Sequence, residues 1–109
     1  MKTLKFIVDG QIIKQDPTCD FNNLVPGTEG YLRAEFSFSN EWEDHIKVAS
    51  FRSRMGREYP PQILKDGKTC LIPSEALKRQ TFTVQVIGKK GDTKITTNKV
   101  EVHQNGGKI

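Results

Sequence analysis

The chain is predicted to be all-β: a small antiparallel β-sandwich, or a partly open barrel, of about seven to eight strands with one short helix after Pro73. Three observations carry this. Apolar and polar residues alternate with period two in Thr3–Val8, Tyr31–Phe38 and Thr81–Ile87, the spacing that sends successive side chains to opposite faces of a strand. Glycine and proline turn signals, among them Asp9-Gly10, Met55-Gly56, Asp66-Gly67 and Gly91-Asp92, punctuate the apolar runs roughly every 8 to 12 residues. Apart from two short turns, no segment carries the longer period of a helix.

The run Thr3–Val8 returns as Gln11–Lys14 through Asp9-Gly10, a two-residue type I′ signal, which makes an N-terminal hairpin. Residues 16–29 hold two prolines, a glycine and turn-forming Asn and Asp, so they read as a connection. Its length implies that Phe21, Leu24 and Val25 order against the core. Alternation turns Leu32, Ala34, Phe36 and Phe38 to one face of the next strand and Tyr31, Arg33, Glu35 and Ser37 to the other. Ser39 or Asn40 is placed to cap a single helical turn through Glu41, Trp42 and Glu43.

Ile46–Phe51, Glu58–Leu64 and Thr69–Ile72 are further strands, the second confined to an edge or bulge by Pro60-Pro61. Ser74 is placed to cap a short helix, Glu75–Arg79. Thr81–Ile87 follows with Phe82, Val84 and Val86 inward, then a hairpin loop at Lys89–Asp92, then Thr93–Thr97 and Lys99–His103. The expected core is Phe36, Phe38, Trp42, Phe51, Phe82 and Val84. Residues 1–103 form one β-sandwich domain, and the polar, glycine-rich residues 104–109 a flexible C-terminal tail.

With 109 residues there is room for one domain only, and 35% hydrophobic residues imply a thin core between two small sheets. Seventeen Lys and Arg oppose 13 Asp and Glu, a net charge of +4 that weakly favours polyanions. Basic residues gather at Arg52, Arg54 and Arg57, at Lys78 and Arg79, and at Lys89 and Lys90, while acids gather at Glu41, Glu43 and Asp44. No apolar run reaches the roughly 18 residues that span a bilayer, so no membrane partner is expected. Cys19 and Cys70 lack CxxC spacing, and no secretory leader opens the residues given, which points to reduced thiols and the cytoplasm.

Chemistry-bearing patterns are sparse. His45 and His103 have no third ligand at metal spacing, and Cys19 has no dedicated base. The glycines form neither a GxGxxG nor a P-loop pattern. No catalytic residue, metal or cofactor is expected, and Trp42 with its acidic neighbours reads as a plug at the sandwich end. The basic hairpin stands apart: Arg52, Arg54 and Arg57 flank Met55-Gly56 with Phe51 and Tyr59 close by, a combination suited to an anionic partner, while a charged edge that discourages sheet-to-sheet pairing explains it more simply.

From Leu32 to about Val102 the chain resembles the small β-sandwich domain of tail and baseplate proteins from phages and prophages of Gram-positive bacteria, similar to the N-terminal domain of baseplate upper proteins. The matching residues are Phe36-x-Phe-Ser-x-Glu-Trp42, Lys47-x-Ala49-x-Phe51, Asp66-Gly67, Cys70-x-Ile-Pro-x-Glu-Ala-Leu77 and Phe82-x-Val-x-Val86. The resemblance implies a non-enzymatic docking module in a virion or the host cytoplasm, working by sheet-face and edge contacts with a protein partner or as a homo-oligomer. The hairpin Phe51–Arg57 is more basic than that pattern implies. This supports an alternative: a counter-defence protein that grips a host defence protein or sequesters a nucleotide ligand through Arg52, Arg54, Arg57, Tyr59, Lys89 and Lys90.

Overall fold

A computed structural model describes residues 1–105. Nine strands run in chain order: β1 (Lys2–Asp9), β2 (Ile12–Gln15), β3 (Leu32–Phe38), β4 (Ile46–Ser53), β5 (Gln62–Ile63), β6 (Thr69–Leu71), β7 (Thr81–Lys90), β8 (Thr93–Thr96) and β9 (Val100–His103). They form two sheets, β2-β1-β3-β6 and β5-β4-β7, with β8 and β9 both paired along the outer side of β7. The fold is therefore the expected all-β sandwich, with more strands than the seven to eight read from the sequence.

It is not wholly antiparallel. β1 and β3 run parallel, in register from Lys2 opposite Leu32 to Val8 opposite Phe38. A parallel pair needs a crossover of roughly a dozen residues or more, and that is the role of the long connection after β2. Its Leu24 is buried and its Phe21 packs edge-on to Phe6 with ring centroids 5.4 Å apart, but Val25, expected inward, is exposed.

Alternation delivers the core. Leu4, Phe6, Val8, Leu32, Ala34 and Phe36 from one sheet face Ala49, Phe51, Phe82, Val84, Val86 and Val102 from the other. Each fully buried large side chain removes enough apolar surface from water to contribute roughly 1.5–3 kcal/mol. Of the expected core residues only Phe38 stays half-buried, its ring covered by the Lys47 ammonium 5.2 Å from the centroid. Trp42 closes one end of the sandwich, fully buried on a 3₁₀ turn at Asn40–Trp42, with Nε1 donating to the Gly10 carbonyl at 2.8 Å.

Several local expectations shift. The first hairpin turns on Gly10 and Gln11, since Asp9 pairs with Ile12, and only Gly10 has a positive φ, of 58°; that is a type II′ pattern, not I′. The helix after Pro73 is a single 3₁₀ turn, Ala76–Lys78, without a side-chain cap. Ser39, expected as a cap, instead accepts from the Gly10 amide and donates to Glu41. Pro60-Pro61 reduces the expected Glu58–Leu64 strand to β5 and one bridge between Arg52 and Glu58. Two residues expected in the tail are tied to the fold: buried Gln104 donates its side-chain amide to the Leu77 and Arg79 carbonyls, and the Asn105 amide donates to the Leu24 carbonyl. Residues 106–109 lie outside the described residues.

The two long edges of the sandwich differ. On one, Asn98 bridges the sheets: its backbone N–H donates to Gln11 O, its Oδ1 accepts the Ile13 amide at 2.7 Å and its Nδ2 reaches the Ile13 carbonyl. The side chain thus imitates a strand residue. It can do so because Thr97 breaks the line between β8 and β9, its hydroxyl accepting the Val86 amide. On the other edge, β5 and β6 end their sheets, and among the described residues no strand pairs with their outer sides.

Candidate functional site

The arginine hairpin is built by a tight turn at the end of β4. The Ser53 amide donates to the Arg57 carbonyl at 2.8 Å, the Arg57 amide to Ser53 Oγ at 3.0 Å, and the Gly56 amide to the Ser53 carbonyl at 2.9 Å. Gly56 takes a φ of 93°, which a side chain would strain, so glycine lets the turn close. Arg54, Met55 and Arg57 are left exposed at the tip.

Ser53 pairs with Phe82, so the start of β7 and the residues before it lie beside this tip. Arg79 and Gln80 occupy that position, and Gln104 fixes them by bonding the Arg79 carbonyl at 2.7 Å and, through its own amide, the Gln80 carbonyl. Ser53, Arg54, Met55 and Arg57 on one side and Arg79, Gln80 and Thr81 on the other enclose a groove of about 340 Å³. Its lining carries three guanidinium groups and no carboxylate. Among the described residues none of the three arginines is ion-paired.

A second hollow, of about 480 Å³, shares Arg57 and Arg79 and continues past Glu58, Tyr59, Pro60, Glu75 and Lys78. Its charge is mixed. Tyr59 belongs to the buried core, 6% exposed, and its hydroxyl is buried without a hydrogen-bond partner among the described residues.

The six residues singled out from the sequence therefore do not form one surface. Arg54 and Arg57 do come together. Arg52 lines neither hollow; its guanidinium lies 3.6 Å from Glu58, which also accepts from Ser50. Tyr59 faces inward because it stands beside Phe51, to whose carbonyl its amide donates at 2.9 Å, and antiparallel neighbours share a face. Lys89 and Lys90, expected in a loop, are strand residues at the far end of β7. Phe82 to Lys89 spans seven residues, roughly 23 Å at about 3.3 Å per residue. There Lys90 lies 3.9 Å from Asp44 in an exposed pair of little energetic weight. Gln80 and Gln104 carry no mark of a site in the sequence, and Arg79 is marked only as one of several basic residues there; the β4–β7 register brings them in.

Arginine cannot give up its proton near neutral pH, so the groove offers charge and donors but no general base. Elsewhere, Glu41, Glu43 and Asp44 around Trp42 are exposed. Burial, with the nearby Asp66 carboxylate second, pushes the Cys70 thiol up to about 12, so it stays protonated and weakly nucleophilic. Cys19 is free and tied to β1, accepting the Lys5 amide and donating to the Thr3 carbonyl. Among the described residues no cluster of His, Cys, Asp and Glu is arranged to hold a metal, and no helix is long and apolar enough to cross a membrane.

The open edge is the other candidate surface. Ile63 on β5 and Leu71 on β6 are 60% and 47% exposed, and between them Gln62, Lys65, Asp66, Thr69 and Cys70 line a hollow of about 340 Å³. Comparison with protein-family models, curated proteins and solved structures finds no match.

Proposed function

We propose that the chain is a non-enzymatic interaction module of the phage or prophage tail and baseplate type, which docks through its β5/β6 edge onto another tail protein or a second copy of itself. The observation that carries this is the asymmetry of the sandwich: one edge bridged by Asn98, the other unpaired with Ile63 and Leu71 exposed across it. Unpaired strand edges supply backbone donors and acceptors to an added strand, and the two apolar side chains supply surface to bury. Short strands, Pro60-Pro61 upstream, and Lys65 and Lys68 nearby select against indiscriminate pairing, so the edge suits a matched partner. The order and spacing of Phe36-x-Phe-Ser-x-Glu-Trp42 and Cys70-x-Ile-Pro support the tail-type assignment. On this reading the protein is made in the bacterial cytoplasm and resides in the virion.

The docking reading is preferred to counter-defence because the six-residue contact surface that the latter relies on is divided between the two ends of β7. Ile63→Lys with Leu71→Lys tests it. Both side chains are exposed, so the variant should fold, yet it should be lost from assembled tails and from any self-associated species in sedimentation. Normal incorporation of the double variant into particles would remove the edge as the docking surface.

A further inference from the structure

We propose that the double hollow at the arginine hairpin is a binding site for a nucleoside monophosphate, with the phosphate among Arg54, Arg57 and Arg79 and the nucleoside over Pro60 beside Glu58 and Glu75. The first hollow determines the anion. Three guanidinium forks without a carboxylate match a dianionic group with several oxygens, and such forks pair with phosphoryl oxygens two at a time. Its size is at the small end of ligand sites, about 300–1,000 Å³, which suits a phosphate monoester.

The second hollow determines what the phosphate is attached to. It adjoins the first across Arg57 and Arg79, so one ligand can reach both. Glu58 and Glu75 would repel an acidic peptide but accept hydrogen bonds from ribose hydroxyls and an exocyclic amine. Exposed Pro60 offers an apolar wall to a base, with the largely buried Tyr59 behind it. Gln104 holds the backbone under Arg79, so the point from which that side chain reaches into the groove is fixed before any ligand arrives. The site is separate from the β5/β6 edge and does not depend on the docking reading.

Calorimetric titration of the full chain at low salt with adenosine 5′-monophosphate, inorganic phosphate, adenosine and hexaglutamate tests this. The monophosphate should bind best, phosphate roughly tenfold or more weaker, and adenosine and hexaglutamate weaker still, with affinity falling as salt rises. Arg54→Ser and Arg79→Ala should each weaken the monophosphate roughly tenfold while leaving the melting temperature in place, because both side chains are exposed. The pair Lys89→Ser with Lys90→Ser should change neither. The proposal is overturned by no binding of monophosphate or phosphate at millimolar concentration, by equal binding of the two, by preference for hexaglutamate, or by loss of binding in the Lys89/Lys90 variant with retention in Arg79→Ala.

Discussion

A Cβ atom placed on Gly88 would stand 2.7 Å from Cζ3 and 2.8 Å from Cε3 of Trp42, closer than real side chains approach, so the indole rests on the bare backbone of β7. Neither partner can yield easily: Trp42 is fully buried and bonded to Gly10, and Gly88 is paired to Lys47 on one side and Ile95 on the other. Gly88→Ala should therefore destabilise the fold by about 1–3 kcal/mol, the usual cost of overpacking. The same change in a Trp42→Phe background should cost clearly less. Urea unfolding of the four proteins in the cycle measures the coupling, and additive costs would sink the steric account.

Trp42 itself should be among the most sensitive positions. Phe38 packs against it at 5.2 Å between centroids, in a row that continues through Phe36 to Phe6. Removing the indole by Trp42→Ala should cost about 3–5 kcal/mol, as for other large-to-small core changes. That is a large share of the roughly 5–15 kcal/mol that holds a domain together. Native emission should be blue-shifted and poorly quenched by iodide; a red, quenchable emission would show that the indole is in water.

Asn98 should matter more than its exposed position suggests. Asn98→Ala leaves the Ile13 amide and carbonyl without their side-chain partner, and an unmet buried polar group costs about 1–3 kcal/mol. Asn98→Asp keeps the acceptor for the Ile13 amide but loses the donor to its carbonyl, so it should fall between wild type and alanine. Hydrogen exchange at Ile13 locates the effect: protection should drop there first, and unchanged exchange would mean that Asn98 does not fasten β2.

What could be read in the sequence was local. The alternation of β3 and β7 and the burial of Trp42 follow from side-chain period and from the turn before Trp42, which involve neighbours in the chain. The parallel pairing of β1 with β3 was hidden because nothing in either strand's own alternation states which strand it joins. Asn98 after two threonines looks like an ordinary turn residue until β2 is brought alongside. Tyr59 was misplaced for a nearer reason: with the turn confined to Arg54–Gly56 and Ser53 opposite Arg57, it falls beside inward-facing Phe51, but Pro60-Pro61 interrupts the alternation that would have revealed it. The groove was half legible, since Arg54 and Arg57 are in one turn whereas Arg79 arrives by register.

The thiols give a direct chemical check. With the Cys70 thiol pushed up to about 12 by burial, its thiolate fraction near pH 8 should be roughly a thousandfold below that of an unfolded cysteine. Alkylation by iodoacetamide should accordingly be slow at Cys70 in the native protein and fast in urea. Both cysteines are free, so a reducing agent should leave the melting temperature unchanged, whereas a disulfide between them would contribute roughly 3–4 kcal/mol. Rapid native labelling of Cys70 would contradict its burial.

Acid should weaken the fold through the turn that joins β5 to β6. The Thr69 hydroxyl donates to Asp66 Oδ2 at 2.6 Å, and the Lys68 and Thr69 amides donate to Oδ1 at 2.9 and 2.7 Å; together they hold this carboxyl well below the usual carboxylate range. Asp16 and Asp20 are lowered in the same direction, chiefly by the backbone amides of Thr18 and Asn22. A carboxyl that is more acidic when folded stabilises the fold above its unfolded value, near 3.9, and loses that contribution as pH falls toward its folded value. Stability should thus be level around neutrality and decline below about pH 4. Asp66→Asn keeps an acceptor for the two amides but removes the titration, so its decline should be shallower, with Asp16 and Asp20 supplying the remainder. Urea midpoints of wild type and variant from neutral pH down to about 2 decide it: parallel curves would show that the hydrogen bonds to Asp66 do not distinguish the folded chain from the unfolded one.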